Sequence, residues 1–466
     1  MNAIPRILAH GILEGLMPWQ RDEVALALAT GAHRGLWCDP GTGKTPVIVR
    51  VMMGKRLAGG TLPHLYLCPS SLTRQVVREI ERFWPGSRVQ RISNGRQQVD
   101  RAADVVVVGY GLLSRPSMLV TDLKTMTFDV VACDESHMLR NPVAARTKIV
   151  LLNSDAIIAA GRQRIFASGT MLVNHAGDMW PMVARLGVKT LAQDGKAISR
   201  GAFESRFVQF QTQWFGGRRV QTPIGSKDLG ALREHLAPHV RRMTLREAVP
   251  DMPPLRVRAL PIAAEGRMPD LPAEVEAEVR GILARVTSGD EDARFALMDL
   301  LEEHQVAMAS WRRHLGMAKV EECAEILLDR LEGGEPAALV FVHHRDVGDA
   351  IATTLANNGI PAGMIRGDTP QARRDEYVQA FQAGTLRCLV LQHESGGVGL
   401  NLQAAAYGLV VESPWTDAAM RQSIARMHRR GQQRGVLVHV AAAEGTLDEV
   451  IAETIARKAS EAAEFE

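Results

Sequence analysis

The sequence predicts an α/β protein built from two parallel-sheet lobes in tandem. Short, continuous apolar runs alternate with segments of helical spacing, which is typical of parallel strands joined by crossover helices. The same plan begins again at about residue 337. A chain of 466 residues is also too long to be organised around one hydrophobic core.

The apolar runs of the first half are continuous rather than alternating, which favours central strands covered on both faces. Between two of them, the segment Leu72–Phe83 repeats its apolar residues at helical spacing. The predicted strands are Gly35–Cys38, Leu65–Cys68, Asp104–Val108, Val130–Cys133 and Arg164–Ala167.

The second half contains a similar series of apolar runs. Its predicted strands are Leu339–Val342, Ala362–Ile365, Cys388–Leu391, Leu409–Val411 and Leu437–Val440. Pro250, Pro253 and Pro254 predict an extended crossing before this half, because proline and the residue before it disfavour helix. We therefore expect a first lobe over residues 1–245 with a helical insertion at about 188–240, a connector and helical segment over 246–318, and a second lobe over 319–466.

Composition excludes several classes of protein. The chain is 46% hydrophobic and 23% charged, as in ordinary globular proteins, and its net charge of +3 is not the basic signature of many nucleic-acid binders. The 5 cysteines form no C-x-x-C pair, which argues against a zinc module or a disulfide framework. No window predicts a membrane span or a signal peptide, so we expect a cytoplasmic protein without a membrane partner.

A glycine-rich loop follows the first predicted strand and leads into a helix. Gly41 and Gly43 let the backbone wrap a phosphate, so that amide groups and the helix N-terminus face the anion. Lys44 is expected to reach the β- and γ-phosphates of ATP, and Thr45 to give a hydroxyl to Mg²⁺. The predicted nucleotide loop is Asp39-Pro40-Gly41-Thr42-Gly43-Lys44-Thr45.

Two adjacent carboxylates, Asp134 and Glu135, end the strand Val130–Cys133. Such a pair is costly at a buried strand end unless it has a function, and Mg²⁺ is the obvious counter-charge. We assign Asp134 to the metal and Glu135 to orienting and deprotonating the attacking water. Alone, the pair would more often be an ordinary loop entry, but a phosphate loop upstream reverses that preference.

Two weaker motifs lie on either side of this pair. Gln20 is placed where an amide could read the adenine edge, although a lone glutamine on a helix is often merely solvated. Ser168-Gly169-Thr170 follows a predicted strand downstream of the carboxylates, and we expect it to couple hydrolysis to movement.

Arg426 and Arg429 are spaced about one helical turn apart, so both guanidinium groups could point from one face. Arginines can stabilise the charge that spreads over a γ-phosphate during transfer. The same basic stretch could instead be a solvated face; Gln422 and Gln432, which frame it, favour the catalytic interpretation.

With these motifs in this order, the chain resembles a helicase superfamily-two ATPase of the Swi/Snf type, with two RecA-like lobes that hold ATP between them. The resemblance covers roughly residues 15 to 455 and suits a compact bacterial or phage form. Two segments, Phe341–Val347 and Pro414-Trp415-Thr416, resemble the branch of annealing helicases and fork-remodelling translocases. The wider family resemblance is carried by Asp134-Glu135-Ser136-His137, Arg241-Arg242, Pro253-Pro254, Ser395–Leu402 and Arg426–Gln432.

The resemblance implies ATP and Mg²⁺ as cofactors, with Gly397 and Gly399 of the second lobe close to the nucleotide. It also implies that Arg426 and Arg429 are the arginine fingers. Contacts to the DNA backbone, which give affinity without sequence preference, are implied for Pro69, Ser70, Ser71, Gly109, Tyr110, Arg366, Gly367 and Ser395.

From these residues we expect an ATP hydrolase that DNA stimulates and that moves as a monomer along duplex or forked DNA, directed by a targeting protein. Two alternatives stay open, a strand-separating helicase of phage or mobile-element replication or recombination and an ATP-switched nucleic-acid clamp. His393-Glu394 stands where the family has a small or basic residue, which predicts an altered coupling between DNA and ATP.

Overall fold

The fold is that of a computed structural model. The chain divides into two compact units after Ala248. No helix within the described residues is both long and apolar enough to cross a membrane. The structure describes residues 11–169, 175–192, 194–215, 218–263, 277–278, 280–282, 284–285, 305–393, 400–414, 417–444, 446, 448–449 and 451–452.

The first unit is built on a sheet of seven parallel strands. These are β1 (Arg34–Cys38), β2 (His64–Cys68), β3 (Val89–Ile92), β4 (Val105–Gly109), β5 (Phe128–Cys133), β6 (Gly161–Ser168) and β9 (Val240–Met243), in the spatial order β3-β4-β2-β5-β6-β1-β9. Every residue of β2, β4 and β5 is buried, which explains their continuous apolar runs. The parallel α/β prediction for this half is therefore confirmed.

Helices of this unit join the strands and cover them. They are α1 (Pro18–Thr30), α2 (Lys44–Leu57), α3 (Thr73–Phe83), α4 (Met118–Thr125), α5 (Ala145–Thr147), α6 (Trp180–Leu186), α7 (Arg200–Phe207), α8 (Leu229–Leu236) and α9 (Leu245–Ala248). The buried core between helices and sheet includes Leu67, Val106, Phe128 and Phe166. The Ser117 hydroxyl accepts a hydrogen bond from the Val120 N–H and so caps α4.

The segment expected to be a helical insertion contains α7 and α8. It also contains a β-hairpin that was not predicted from the sequence. Strands β7 (Val208–Phe215) and β8 (Arg218–Ser226) pair antiparallel. The sequence contains a signal for this hairpin. Apolar or β-branched residues alternate with glutamine in β7, and Gly216-Gly217 follows it. The insertion is therefore mixed rather than purely helical.

The second unit has a sheet of six parallel strands. These are β10 (Leu255–Ile262), β11 (Ala338–Val342), β12 (Ala362–Ile365), β13 (Cys388–Gln392), β14 (Tyr407–Val410) and β15 (Val436–Ala443), in the order β10-β15-β14-β11-β13-β12. Its helices are α10 (Gln305–Ala318), α11 (Val320–Glu332), α12 (Arg345–Asn357), α13 (Gln371–Gln382) and α14 (Asp417–Ile424). Both halves thus have the predicted parallel-sheet architecture.

The missed sheet strands β3, β9 and β10 lie at sheet edges. Each is only partly buried, so arginine or glutamine interrupts its apolar residues and no continuous run appears. Strand β10 falls in the segment assigned to the connector, yet it pairs along its length with β15. This part of the connector therefore belongs to the second sheet.

A buried ion pair ties α1 to β1 in the first unit. The Arg34 guanidinium donates to the Glu23 carboxylate at 2.6 and 3.0 Å and to the Pro238 carbonyl. We expect Glu23→Ala to lower the free energy of unfolding of this unit by about 3 to 5 kcal/mol, because it leaves a buried guanidinium without its counter-charge. Chemical denaturation of the variant measures this change.

Glu204→Ala, which removes the half-buried partner of the exposed Arg200, is the matched control and should cost less than about 1 kcal/mol. Equal effects of the two substitutions would contradict the importance assigned to the buried pair.

Candidate nucleotide site and nucleic-acid surface

Three predicted motifs of the first unit lie side by side at one edge of its sheet. Strands β5, β6 and β1 are neighbours, and their carboxyl ends lead into Asp134-Glu135, Gly169 and the glycine-rich loop respectively. A Cβ added to Gly169 would lie 2.9 Å from the Pro40 ring, so this glycine permits a close approach of the two loops. Thr170 lies outside the described residues.

The loop after β1 has the geometry of a phosphate cradle. Gly41 and Gly43 have φ angles of 88° and 89°, which side chains disfavour, and α2 begins directly afterwards at Lys44. A Cβ on Gly43 would approach the Gln20 Nε2 to 2.5 Å. The loop therefore fits a phosphate held by main-chain amides at a helix N-terminus.

Polar contacts within the loop hold its shape. The Lys44 ammonium donates to the carbonyls of Cys38 and Asp39 at 2.7 and 3.0 Å, and the Thr42 hydroxyl donates to the Asp39 carbonyl. The Asp39 carboxylate accepts from the Leu245 N–H at 3.0 Å, which fixes the loop to α9. Asp39 thus braces the loop through both its main chain and its side chain.

Gln20 is fully buried and links α1 to the glycine-rich loop. Its Nε2 donates to the Gly43 carbonyl and its Oε1 accepts from the Met17 N–H, both at 2.8 Å. These contacts place the amide beside the loop rather than in solvent. Recognition of adenine by Gln20 stays a prediction.

The carboxylate of Asp134 is buried and held by two other residues. Its Oδ2 accepts from the Tyr66 hydroxyl at 2.8 Å and its Oδ1 from the Glu135 N–H at 3.0 Å. Burial and the nearby Glu135 charge raise the pKa of Asp134 to about 6, against the opposing effect of Lys44.

Glu135 adopts a left-handed backbone conformation, with a φ angle of 48°. Its carboxylate lies 3.3 Å from His137 Nδ1 and accepts from the Gly169 N–H. Burial would raise the pKa of Glu135, but the hydrogen bond from His137 and the Lys44 charge outweigh it and lower the pKa. An ionised carboxylate with a strained backbone suits an acceptor of a proton from water.

These residues fit a nucleotide-bound Mg²⁺. Thr45 lies in the first turn of the helix that follows the glycine-rich loop, and its hydroxyl and the Asp134 carboxylate are oxygen ligands of the kind that Mg²⁺ prefers. The raised pKa of Asp134 reports a local excess of negative charge that a divalent cation would relieve.

Ser168 connects the strand end of β6 to the carboxylate pair. Its hydroxyl lies 3.0 Å from His137 Nδ1, and the same imidazole nitrogen is near Glu135. Ser168 therefore contacts His137, which lies beside Glu135, and Gly169 lies beside Glu135 itself. This arrangement supports their assignment as coupling residues without testing it.

In the second unit, Arg426 and Arg429 lie in turns that follow α14. The backbone there is not helical, so the prediction that both residues lie on one face of a helix is wrong. Helix α14 ends at Ile424, and the Arg426 N–H donates to the Ser423 carbonyl as in a tight turn. The side chains nevertheless gather. Burial, then the charges of Arg374 and Arg429, lower the pKa of Arg426 to about 10.

Arg374 on α13 is a member of this guanidinium cluster that the sequence analysis missed. It also donates to the carbonyls of Gly367 and Thr369, and so holds the turn after β12. A helical arginine one turn beyond a Gly-Asp-Thr segment was the available signal. Buried guanidinium groups close to one another form a site that favours an anion.

Gln432 braces the arginine turns rather than facing solvent. Its Nε2 donates to the carbonyls of Gln403, Ala405 and Met427, at 2.8 to 3.2 Å. Gln422 is half-buried on α14. Gly397, Gly399 and Ser395 lie outside the described residues, so their predicted roles are not addressed.

The DNA contacts implied in the first unit form two adjacent turns. Pro69 is buried, whereas Ser70 is exposed and Ser71 half-buried. The Ser70 hydroxyl accepts from the Gly111 N–H at 3.2 Å, which joins the turn after β2 to the turn after β4, where Gly109 is located. Tyr110 is 1% exposed over the whole residue, and its hydroxyl donates to the Asp134 carbonyl at 2.7 Å. Its contact with DNA stays a prediction.

In the second unit, Arg366 and Gly367 follow β12. The Arg366 guanidinium is paired with the Asp349 carboxylate, and the main-chain N–H of Arg366 donates to the Thr369 hydroxyl at 2.8 Å. The Gly367 carbonyl accepts a hydrogen bond from the Arg374 guanidinium. This turn is thus ordered by its own side chains, and its contact with DNA stays a prediction.

His393 is a buried imidazole where the resemblance leads one to expect a small or basic residue. It stacks on Phe341, its Nε2 donates to the Glu412 carbonyl at 2.7 Å, and its Nδ1 lies 3.0 Å from the Ser423 hydroxyl. Burial, with the positive charges of Arg312 and Arg426, lowers the pKa of His393 to about 4. The neutral ring thus connects β13 to α14.

This low pKa predicts acid sensitivity of the second unit. Between pH 6.5 and about 4 the unfolded chain binds a proton at His393 that the folded chain does not, so stability falls as the pH falls through this window. The contribution is on the order of 3 kcal/mol. His393→Gln should flatten the dependence of the melting temperature on pH in this range.

The matched control is His314→Gln, at an exposed histidine of α10, which should leave the pH dependence as in the parent chain. An unchanged slope in His393→Gln would contradict a buried neutral His393.

Two family models match the chain. Residues 23–254 match the SNF2-related domain, and residues 318–431 match the helicase conserved C-terminal domain. The first match contains the carboxylate pair and the glycine-rich loop. The second contains the guanidinium cluster.

Two curated relatives align with nearly all of the chain. It is 26% identical over 443 residues to the SWI/SNF-related matrix-associated actin-dependent regulator of chromatin subfamily A-like protein 1 of Xenopus tropicalis, covering 94% of this chain and 43% of that protein. It is 25% identical over 450 residues to the DNA annealing helicase and endonuclease ZRANB3 of Mus musculus, covering 95% and 40%. The chain thus spans about two fifths of the length of these relatives.

Among solved structures, S. cerevisiae Dbp5 bound to RNA and ADP BeF3 has the same fold. The TM-score is 0.52 at 12% identity, over 99% of this chain and 91% of that chain. At this identity the similarity concerns architecture, and it agrees with two parallel-sheet units in tandem.

Proposed function

The chain belongs to the SNF2-related family of helicase-type ATPases, and we propose that it is a motor that hydrolyses ATP and moves along the DNA backbone. The observation that carries the proposal is the carboxylate pair of the buried Asp134 and the half-buried Glu135, which lies within range of the Lys44 charge. A pair of carboxylates is not placed at a buried strand end for stability.

In this proposal the glycine-rich loop binds the phosphates through its amides, and Lys44 exchanges its contacts with the Cys38 and Asp39 carbonyls for phosphate oxygens. Thr45 and Asp134 would hold Mg²⁺, which would neutralise phosphate charge when bound. Glu135 orients the attacking water and accepts its proton. The Gly169 N–H and His137, which contact this carboxylate, keep it ionised and oriented.

We assign Arg426 and Arg429 of the second unit to the γ-phosphate. The depressed pKa of Arg426, caused first by burial and then by two neighbouring guanidinium groups, supports this assignment because an anion would relieve it. Gln432 supports the turns that carry both arginines through its three carbonyl contacts.

DNA is the proposed polymer. One relative, from Mus musculus, is the DNA annealing helicase and endonuclease ZRANB3. The main chain around Ser70 and Gly111 offers amides and a hydroxyl at the surface, which suits contacts to phosphates rather than bases. Because Tyr110 joins this surface to the Asp134 carbonyl, backbone binding there could be transmitted to the carboxylate pair.

Two substitutions separate binding from hydrolysis. Lys44→Ala should abolish detectable nucleotide binding, whereas Glu135→Gln should bind ATP and reduce turnover about 100-fold or more, because it removes the proton acceptor. Fluorescent nucleotide titration and steady-state ATP hydrolysis measure the two effects. Glu234→Gln, at an exposed glutamate of α8, is the control and should keep normal turnover. Near-normal turnover in Glu135→Gln would show that another group is the base.

The polymer is identified by ATP turnover without nucleic acid and with single-stranded DNA, duplex DNA, forked DNA or RNA, with Glu135→Gln as the background. We expect duplex or forked DNA to stimulate turnover, less so at high salt because the contacts are to phosphates. Stimulation by RNA alone would indicate RNA remodelling, and no stimulation would favour an ATP-switched clamp. Separation of the strands of a forked duplex would indicate a strand-separating helicase.

A further inference from the structure

Tyr66 is a buried polar residue in the middle of a central strand, where the neighbouring residues Leu65 and Leu67 are aliphatic. Its side chain is completely buried, so its hydroxyl must find hydrogen-bond partners within the protein. An aliphatic side chain would fill this position without that requirement. The hydroxyl therefore calls for an explanation beyond packing.

The partner of the hydroxyl belongs to the proposed metal site. The Tyr66 hydroxyl donates to the Asp134 Oδ2 at 2.8 Å. A phenol carries its proton at neutral pH, so Tyr66 is a constant donor that fixes one oxygen of the carboxylate and leaves its remaining lone pairs for a ligand.

The rest of Asp134 is fixed from the same side. Its N–H donates to the Leu67 carbonyl at 2.7 Å, and its own carbonyl accepts from Tyr110. The main chain of Asp134 is thus already held by other residues. Its carboxylate is held by the Glu135 N–H at Oδ1 and, from the neighbouring strand, by the Tyr66 hydroxyl at Oδ2.

We propose that Tyr66 is a positioning residue that orients the Asp134 carboxylate toward a nucleotide-bound divalent cation. The inference rests on the proposed ATPase function, since it needs a metal-nucleotide complex at this site. Outer partners that orient metal ligands typically change metal affinity 10- to 100-fold when they are removed. Tyr66 acts through Asp134 and does not itself coordinate the metal.

The test is a titration with Mn²⁺, followed by electron paramagnetic resonance, in the presence of a non-hydrolysable ATP analogue. Tyr66→Phe keeps the ring and removes only the hydroxyl, and it should raise the half-saturating Mn²⁺ concentration at least tenfold. Affinity for the analogue in EDTA should stay within about twofold, because the phosphate loop is untouched. A purely structural role would weaken metal-free binding as well.

Tyr407→Phe is the matched control, because it removes another buried hydroxyl, one that contacts His439 in the second unit. It should leave Mn²⁺ binding unchanged. Tyr66→Met, a flexible side chain of similar length, is a second variant without the hydroxyl if the phenylalanine packs poorly. Thermal melting establishes that each variant is folded at the temperature of the titration.

The outcomes separate this inference from the proposed function. If the parent chain binds Mn²⁺ with the analogue and both variants bind it within twofold, Tyr66 has no positioning role, while the ATPase proposal stands. If binding in the parent chain is absent, or persists in Lys44→Ala, the nucleotide site itself is misassigned and the inference falls with it.

Discussion

The buried carboxylate of Asp134 is the group on which the first unit's site depends. It meets the Tyr66 hydroxyl from β2 and the N–H of Glu135, while the Asp134 carbonyl meets Tyr110 from the turn after β4. A charge in such surroundings is costly unless every lone pair has a partner. The network supplies one donor to each carboxylate oxygen, leaves the other lone pairs for a ligand, and joins the proposed metal site to the exposed turn at Ser70.

The second unit concentrates the opposite charge. Arg426 is buried beside two further guanidinium groups, and its lowered pKa shows that this arrangement does not favour the folded unit by itself. The first unit places the carboxylates of Asp134 and Glu135 side by side, and the second gathers the guanidinium groups of Arg426, Arg374 and Arg429. In the proposed function, Mg²⁺ would offset the charge of the first group and phosphate oxygens that of the second.

The sequence alone predicted the central strands whose residues all have the same buried environment. Central strands such as β2 and β5 are buried on both faces and read as continuous apolar runs, so the loops at their ends were placed correctly. Edge strands such as β9 and the β7-β8 hairpin mix polar and apolar residues and were missed. Tyr66 could not be identified, because its role depends on a neighbour 68 residues away that the sheet brings opposite.

The most direct test of this account is the isosteric substitution Asp134→Asn, followed by melting temperature and ATP turnover at pH 7.5. Because the folded pKa of Asp134 is raised, the charged form costs stability above that pKa. We expect an equal or higher melting temperature of the first unit together with a loss of turnover of about 100-fold. A melting temperature several degrees lower, with turnover retained, would show that the carboxylate serves the fold and not the chemistry.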